Sequence, residues 1–370
     1  MIYWIASVVT LFYGSVLLLL LMMWHLRKFP VAFPEGHTDV FATVIIPVRN
    51  EARNIERLIR SIYKGATGDF EIIVVDDHSE DETKSIVKHL QEEFEGLNLA
   101  LLSADQSGKK AAITLGVDLA KGDLMICTDG DSEVSEGWLD EHRRAFSSGV
   151  KLAFGPVKLF NSNNSRWIDL LNLELAALVG VGAATLKMGR PTMINGCNYS
   201  FSKKVFEEVG GFEGNDHIAS GDDEFLLRKV HQAYPYKIKF LKSSQALVTS
   251  EPPQDWEDFY HQRRRWASKW KLHRDVFSMI MPVFIFCVYG VWSWLLVDAC
   301  LTLNTLGLYI LGAKFIVDYL FVSVVSKVQD RRVSITSFVL LQIIYPFYVV
   351  FFGVASNFGT YSWRDRIHRI

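Results

Sequence analysis

Cysteine is scarce in this chain, and its placement argues against two classes of protein. Only four of the 370 residues are cysteine, at positions 127, 197, 287 and 300, and none of them forms a C-x-x-C pair. Disulfide-stapled scaffolds and cysteine-ligated zinc sites depend on closely spaced cysteines. The sequence therefore predicts neither, and it fits a reducing compartment.

An excess of positive charge is missing as well. The chain has 39 Lys and Arg against 41 Asp and Glu, a net charge of -2, whereas a nucleic-acid-binding protein would show a basic footprint. No G-x-G-x-x-G sequence opens the first helix of the α/β region described below, so no nicotinamide or flavin cofactor is predicted.

Apolar runs are abundant instead. Hydrophobic residues make up 49% of the chain and the mean hydropathy is +0.15. Residues 2–26 contain no Asp, Glu, Lys or Arg, and such a run spans a bilayer as a helix. A cleaved signal peptide is the alternative, but a basic start and a small-residue cleavage site are missing. We predict an uncleaved anchor over 1–28, with Arg27 and Lys28 placing the next segment in the cytoplasm.

The C-terminal region 276–370 contains three further apolar runs, each long enough to span a bilayer. They cover 276–298, 301–325 and 333–356. Three spans would leave the tail arginines 364, 366 and 369 on the outer side, against the positive-inside tendency. Either one run is re-entrant or interfacial, or the tail is an exception.

One ionic pair lies inside these runs. Lys314 and Asp318 are one helical turn apart, so we expect them to neutralise each other against neighbouring helices rather than to serve transport.

The region 29–254 begins with alternating strand and helix patterns. Strands are predicted at 43–47, 71–76, 97–102 and 123–128, and helices at 51–63, 79–94 and 109–120. This alternation predicts a parallel, doubly wound α/β sheet, whose ligands bind beyond the carboxyl ends of the strands. Further along, 170–188 is predicted to be a helix near the membrane or acceptor, 194–212 a strand and short helix, and 255–275 an amphipathic interfacial helix.

Two acidic residues follow the fourth predicted strand. Asp129 and Asp131 flank Gly130, and both carboxylates can face the cleft while the glycine permits close approach of a ligand. Mg²⁺ and Mn²⁺ prefer oxygen ligands and bridge carboxylates to phosphates. A solvated turn is the alternative, but the context of a buried strand favours a metal site.

A second pair, Asp76 and Asp77, ends the second strand. The alternative role is a helix cap, but the spacing of Ser79 to Glu82 predicts that Ser79 is the cap. An aspartate is then available for a nucleoside base or ribose.

The third acidic cluster is Asp222, Asp223 and Glu224, before an apolar helical stretch. Such acids often only complement a helix dipole, but beside Gly221 they are candidates for a base of raised pKa. Sugar transfer from a nucleotide diphosphate needs one base, because the metal-bound diphosphate leaves readily.

A basic and aromatic segment completes the constellation. Arg265 suits bidentate phosphate recognition, beside the amide of Gln262 and the indole of Trp266, which can stack on sugar. A membrane-surface belt is the alternative, and we assign Arg263 and Arg264 to it. Lys109, in SGKKAA, is predicted near phosphate.

Together these segments resemble the membrane-bound branch of the family 2 inverting glycosyltransferases, which have the GT-A (Rossmann-like) fold. The resemblance runs from about Thr43 to Trp266 through TVIIPVRNEARNI, VVDDHS, SGKKAAI, TDGD, NGCNYSF, GDDEF and HQRRRW. Thr114 replaces the asparagine usual in the third of these, so only Lys109 is carried over from that segment.

The resemblance implies a role for each matching residue. It assigns nucleotide contacts to Pro47, Arg49, Glu51, Asp77, Lys109 and Asp129; the metal to Asp131 with Asp129; the catalytic base to Asp223, with Asp222 beside it; and acceptor or diphosphate contacts to Gln262, Arg265, Trp266 and Asn198. It also implies Mg²⁺ or Mn²⁺ as cofactor.

The resulting hypothesis is an inverting hexosyl- or N-acetylhexosaminyl-transferase at the cytoplasmic face of the cell membrane, active in cell-envelope biogenesis. Its donor is predicted to be a nucleotide sugar, a UDP-sugar by resemblance. The acceptor is a lipid, such as ceramide, diacylglycerol or a lipid-linked oligosaccharide, or a growing polysaccharide. The alternative from another class is a membrane scaffold that binds nucleotide sugar without turnover.

Overall fold

The computed structural model describes most of the chain. The described residues are 1–26, 35–94, 96, 98–215, 221–268, 276–363 and 366–369, with side chains left aside at 276–279 and 362–369. Arg27, Lys28, Arg364 and the predicted helix residues 269–275 lie outside these ranges.

Seven strands form the main sheet. They are β1 (Ala42–Val48), β2 (Phe70–Asp76), β3 (Asn98–Ser103), β4 (Leu124–Cys127), β6 (Leu152–Phe154), β8 (Tyr199–Ser202) and β9 (Ile238–Phe240). Their order is β3-β2-β1-β4-β8-β6-β9. The first four are parallel, as predicted. β8 is antiparallel to both neighbours, so the sheet as a whole is mixed, although the strands of the alternating region are parallel. The hydrophobic pattern of a buried strand carries no information about its direction.

Two small sheets accompany the main one. β5 (Ser132–Val134), β7 (Val157–Leu159) and β10 (Val248–Ser250) form the second sheet, which brings the segment after Asp131 beside Ser250. β11 (Thr360–Trp363) and β12 (Arg366–Arg369) form a C-terminal hairpin, which the sequence did not predict.

Helices cover both faces of the main sheet. Those of the α/β domain are α2 (Ile55–Gly65), α3 (Thr83–Glu93), α4 (Lys109–Leu119), α5 (Trp138–Ser147), α6 (Arg166–Lys187), α7 (Lys203–Glu208), α8 (Asp222–Ala233) and α9 (Trp256–Ser268). In α2 four apolar residues recur at helical spacing, and all of them are buried: 55, 58, 59 and 62. They pack against β1 and β2 within one core.

The start of α3 differs from the prediction. Glu82, not Ser79, precedes the helix. The Ser79 hydroxyl instead accepts a hydrogen bond from the backbone N–H of Asn50 at 3.0 Å. Ser79 therefore joins the loops that follow β1 and β2, a long-range contact that a local capping pattern does not reveal.

Four apolar helices flank the α/β domain in sequence. They are α1 (Ile2–His25), α10 (Val276–Thr302), α11 (Thr305–Val325) and α12 (Ile335–Ala355), close to the predicted runs. By length and composition these four and α6 could each cross a membrane. In α6, however, 67% of the most apolar window is buried inside the protein, because α6 packs between the sheet and the other apolar helices.

The predicted ionic pair is confirmed. Lys314 Nζ lies 2.7 Å from Asp318 Oδ2, and both side chains are buried. The Tyr13 hydroxyl donates to Asp318 Oδ1 at 2.8 Å, and Lys314 also donates to Gln342. The pair thus joins α1, α11 and α12 through polar contacts in an apolar setting.

We predict that Lys314→Met lowers the free energy of unfolding by about 3 kcal/mol, because it leaves a buried carboxylate without its cation. The double variant Lys314→Met/Asp318→Leu should be less destabilised than Lys314→Met alone. Thermal unfolding in detergent measures both. If the double variant loses as much free energy of unfolding as Lys314→Met and Asp318→Leu lose together, the pair is not mutually neutralising.

Candidate functional site

A single large cavity brings the predicted residues together. Its volume is about 2380 Å³, and it extends from the carboxyl ends of β1, β2 and β4 to α9, α10 and α12. The predicted site residues that line it are Pro47, Arg49, Glu51, Asp77, Lys109, Asp129, Asp131, Asp222, Asp223, Gln262, Arg265 and Trp266. Segments separated by more than two hundred residues therefore share one site.

Lys109, the first residue of α4, is the cationic centre of the cavity. Its Nζ lies 2.6 Å from Asp129 Oδ1 and 3.4 Å from Asp222 Oδ2, and it donates to the Gly196 carbonyl at 3.2 Å. Burial would lower the pKa of Lys109, but the carboxylates of Asp129 and Asp222 outweigh burial and raise it. The lysine is therefore charged, and it fastens the end of β4 to the start of α8.

The two acids after β4 have different surroundings. Burial raises the pKa of Asp129, against the opposing charge of Lys109. Asp131 Oδ1 accepts from the Ser250 hydroxyl at 3.3 Å, and the Asp131 carbonyl accepts from Arg57 at 3.4 Å. The three-stranded sheet of β5, β7 and β10 thus positions Asp131, while α4 positions Asp129.

Gly130 lies in the wall of the cavity. A Cβ at this position would lie 2.8 Å from Glu51 Cγ and 2.9 Å from Val48 Cγ1. A larger residue at position 130 would therefore displace the end of β1 and the loop after it, and the role of this glycine in admitting a ligand stays a prediction.

The donor set after β4 suits a divalent cation that binds together with phosphate. Among the described residues there is no group of three or more His, Cys, Asp and Glu placed to hold a metal. Mg²⁺ is commonly held by one or two carboxylates, with phosphate oxygens and water completing the shell. Asp131 and Asp129 meet that requirement and would not hold a cation tightly alone.

Asp77 and Arg49 form the opposite wall. Arg49 Nη1 donates to the carbonyls of Asp77 and His78 at 3.1 and 3.0 Å. Asp77 Oδ2 accepts the backbone N–H of Gly108 at 2.9 Å, just before Lys109. The neighbouring Asp76 is structural, since it pairs with Lys84 at 3.0 Å.

The acidic start of α8 faces the same space. Gly221 adopts the left-handed conformation with φ 85°, which turns the chain into the helix. Asp223 Oδ1 accepts the backbone N–H of Glu224 at 2.8 Å, and Asp223 Oδ2 faces Gly196, where a Cβ would lie 3.2 Å away. Asp222 is the partner of Lys109, so the two adjacent carboxylates have different contacts.

Helix α9 presents Gln262, Arg265 and Trp266 to the cavity. Burial lowers the pKa of Arg265, and Tyr361 and the acids across the cavity oppose that effect. Two partly buried cations, Lys109 and Arg265, thus lie close to the carboxylates of Asp129, Asp222 and Asp223.

Arg263 was assigned wrongly to a membrane-surface belt. It is buried, and its Nη2 lies 2.7 Å from Glu174 Oε2, while Nη1 donates to Gln262 Oε1 at 2.9 Å. Its guanidinium carbon lies 4.3 Å from the centre of the Trp266 ring. Arg263 therefore positions two predicted site residues. The only sequence signal for Glu174 was a lone acid in the apolar run 170–188.

Arg264 was also assigned wrongly to that belt. It is buried and donates to the carbonyls of Ala355 at 3.2 Å and Thr360 at 2.7 Å, as well as to that of Phe358. A basic residue that binds three carbonyls of a distant segment looks in sequence the same as a surface arginine.

Asn198 is the exception among the predicted site residues. It is fully buried, and the cavity is lined instead by its neighbours 194–197. Its side chain accepts from Trp138 Nε1 at 2.9 Å and donates to the carbonyls of Pro156 and Ala246, both at 2.8 Å. The predicted acceptor contact is corrected: Asn198 joins β8 to the loops beside it.

The far end of the cavity is apolar. Its walls come from α6, α10 and α12, including Leu171, Leu175, Phe286, Val349 and Phe352. The polar part of the cavity around Lys109 is continuous with this apolar part, and α9 lies between them.

Comparisons with known proteins agree with this arrangement. The sequence model described as Glycosyl transferase family 2 matches residues 43–210. The glycosyltransferase AglE of Haloferax volcanii is 27% identical over 200 residues, 52% of this chain and 62% of that protein. The GalNAc(5)-diNAcBac-PP-undecaprenol beta-1,3-glucosyltransferase of Campylobacter jejuni is 33% identical over 122 residues, 33% of this chain and 40% of that protein. The chain thus covers less than two thirds of the length of these relatives.

A solved structure shares the fold. A mannosyltransferase from Pyrobaculum calidifontis, in complex with GDP-Man and Mn²⁺, superposes with a TM-score of 0.58 at 17% identity, covering 97% of this chain and 99% of that one. The predicted GT-A fold with apolar helices at both ends is confirmed.

We predict that Asn198→Ala lowers the free energy of unfolding by about 3 kcal/mol, because it leaves buried donors and acceptors without partners. Nucleotide affinity below the unfolding temperature should stay within a factor of about three, since the side chain lies outside the cavity (a shift under about 0.7 kcal/mol). Asn98→Ala, at an exposed strand end, is the matched control and should change stability by less than about 0.5 kcal/mol. A selective loss of nucleotide affinity in Asn198→Ala would restore a role in binding.

Proposed function

We propose that this chain, whose residues 43–210 belong to glycosyl transferase family 2, transfers a sugar from a nucleotide-sugar donor to an acceptor at a membrane surface. The observation that carries the proposal is the Lys109 cluster. One partly buried ammonium group joins an acid after β4 to an acid at the start of α8, so the segments proposed to bind the diphosphate and to carry the base meet in one cavity.

The donor diphosphate is proposed to lie between Lys109, Arg265 and the acids after β4. Asp131, with Asp129, would hold Mg²⁺ or Mn²⁺, which when bound neutralises the charge of the departing nucleotide. Arg265 is partly buried and lines the cavity, so water screens its charge less than at an open surface. Pro47, Arg49, Glu51 and Asp77 would contact the nucleoside. The specific donor proposed is a UDP-sugar, to be compared directly with GDP-mannose, which the Pyrobaculum structure contains.

The chemical step is proposed to be a single displacement with inversion. Asp223 takes the proton of the acceptor hydroxyl, the acceptor oxygen forms a bond to the anomeric carbon, and the bond from that carbon to the diphosphate oxygen breaks. Asp223 fits this role better than Asp222, because Lys109 pairs with Asp222. Gln262 and Trp266, held by Arg263, would orient the sugar or acceptor, which restricts it to a reactive geometry.

The acceptor proposed is a lipid or lipid-linked molecule rather than a free polysaccharide. The cavity continues from Asp223 to the apolar walls of α10 and α12, which would accommodate a hydrocarbon chain at low desolvation cost. A relative in Campylobacter jejuni is described as acting on an undecaprenol-linked acceptor. The proposed location is the cell membrane, with the α/β domain in the cytoplasm.

We predict that Asp223→Asn reduces the transfer rate by about 10²–10⁴-fold, while the affinity for the donor nucleotide changes little. The assay measures radiolabelled sugar in a lipid extract and in an ethanol-insoluble polymer fraction, from UDP-sugars and GDP-mannose with Mn²⁺. Asp123→Asn, at an exposed acid outside the cavity wall, is the matched control and should keep most of the activity.

Three outcomes would contradict parts of this proposal. Full activity in Asp223→Asn would place the base elsewhere. Label only in the polymer fraction would overturn the lipid acceptor. Nucleotide binding without transfer from any donor would favour the non-catalytic scaffold, despite the intact acidic clusters.

We predict that Asp131→Asn weakens Mn²⁺-dependent binding of nucleoside diphosphate by at least about tenfold, which corresponds to 1.4 kcal/mol. Binding measured without metal should change much less, because Lys109 and Arg265 remain. Isothermal titration calorimetry with and without EDTA separates the two contributions. Glu133→Gln, an exposed acid two residues later, serves as control, and an equal effect of both variants would show that Asp131 is not a metal ligand.

A further inference from the structure

We infer that α12 does not cross the membrane but lies in the half of the bilayer nearer to the α/β domain, with both ends on the domain side, and that the C-terminal hairpin lies on that same side. The inference concerns how the chain crosses the membrane. It stands independently of the proposed reaction.

The other apolar helices define the two sides of the membrane. Near the end of α1 the Trp24 carbonyl accepts from Lys242 of the α/β domain at 2.7 Å, so this end is the domain side. Near the start of α1 the Tyr3 hydroxyl donates to Asp298 at 2.6 Å, late in α10. Helices α1 and α10 therefore run in opposite directions between the domain and a distal side.

Helix α11 returns from the distal side to the domain. Gly307, near its start, lies against Tyr3 and Leu295, and Val325, its last residue, lies against Gly180 of α6. The chain beyond it stays with the domain, since Gln329 Nε2 donates to the Val157 carbonyl at 2.6 Å and Arg331 pairs with Asp169 at 2.5 Å.

The start of α12 cannot reach the distal side from there. Ile335 is four residues after Arg331 in the chain, and four fully extended residue steps cover at most about 14 Å. The hydrocarbon core of a bilayer is about 30 Å thick. Helix α12 must therefore begin in the half of the membrane nearer to the domain.

The end of α12 also lies at the domain. The Ala355 carbonyl accepts from Arg264 of α9 at 3.2 Å, and the Thr360 carbonyl of the hairpin accepts from the same side chain at 2.7 Å. About two helical turns earlier, the Tyr348 hydroxyl donates to Glu174 of α6 at 2.9 Å. Both ends of α12 are thus tied to one side, and a crossing helix would need them on opposite sides.

One face of α12 is suited to lipid along its whole length. Its exposed large apolar residues recur at helical spacing, at positions 335, 339, 340, 343, 344, 347, 351 and 354. The opposite face packs on α6, α9 and α10, with Phe352 against Phe259 and Gly353 against Phe286. The occupant of the exposed stripe is the hydrocarbon of the bilayer, since α1, α10 and α11 beside it are apolar enough to span.

This arrangement has two consequences. Only α10 and α11 cross the membrane after α9, so the hairpin that contains Arg366 and Arg369 lies on the same side as the α/β domain, in accord with the positive-inside tendency. Helix α12 also forms the membrane-side wall of the cavity through Tyr348 and Phe352.

Cysteine labelling in sealed membranes tests the inference. Single cysteines are introduced as Thr360→Cys in the hairpin, Lys204→Cys on the domain surface and Leu303→Cys between α10 and α11; all three positions are exposed. An impermeant maleimide is applied to intact spheroplasts and again after permeabilisation. The unsubstituted protein, with its four native cysteines, gives the background.

The expected result is that Thr360→Cys and Lys204→Cys react only after permeabilisation, while Leu303→Cys reacts before it. Labelling of Thr360→Cys together with Leu303→Cys would overturn the inference, because α12 would then cross the membrane. Phe358→Cys, also exposed, replaces Thr360→Cys if the latter does not fold, as judged by gel filtration.

Discussion

The arrangement of the site depends on one partly buried ion cluster, in which the ammonium group of Lys109 lies between Asp129 and Asp222. The two acids belong to the end of a strand and the start of a helix more than ninety residues later. Without the lysine, these neighbouring carboxylates would repel each other and be costly to ionise. The cluster therefore fixes the distance between the loop after β4 and the start of α8, the segments proposed to carry the metal ligands and the base.

A buried ion pair connects the site to the apolar helices. Arg263 of α9 binds Glu174 of α6, and Glu174 also accepts from Tyr348 of α12. The next residue, Arg264, holds the end of α12 and the hairpin. Arg263 thus positions Gln262 and Trp266 in the site. Its neighbour Arg264 holds the end of α12, which forms part of the apolar end of the cavity. Movement of α12 would be transmitted to α9 through these contacts.

The sequence predicted local features well and long-range contacts unevenly. Strands β1 to β4 and helix α4 agree with the predicted positions to within about two residues, because buried strands and amphipathic helices have distinct periods. Arg263, Arg264 and Asn198 were assigned wrongly. Each is a polar residue whose partners come from distant segments, and burial of a polar side chain leaves no trace in the pattern around it.

What the sequence determined by itself was the set of elements and the identity of the chemical groups: apolar runs long enough to span, alternating α/β segments, and acids placed at strand and helix ends. These follow from hydrophobic periodicity and side-chain chemistry, which are local. Only the tertiary structure decided that β8 runs antiparallel, that Asn198 is structural, and that both ends of α12 lie beside the α/β domain. Those features depend on which distant groups satisfy each other's hydrogen bonds and charges, and the packed chain alone specifies those pairings.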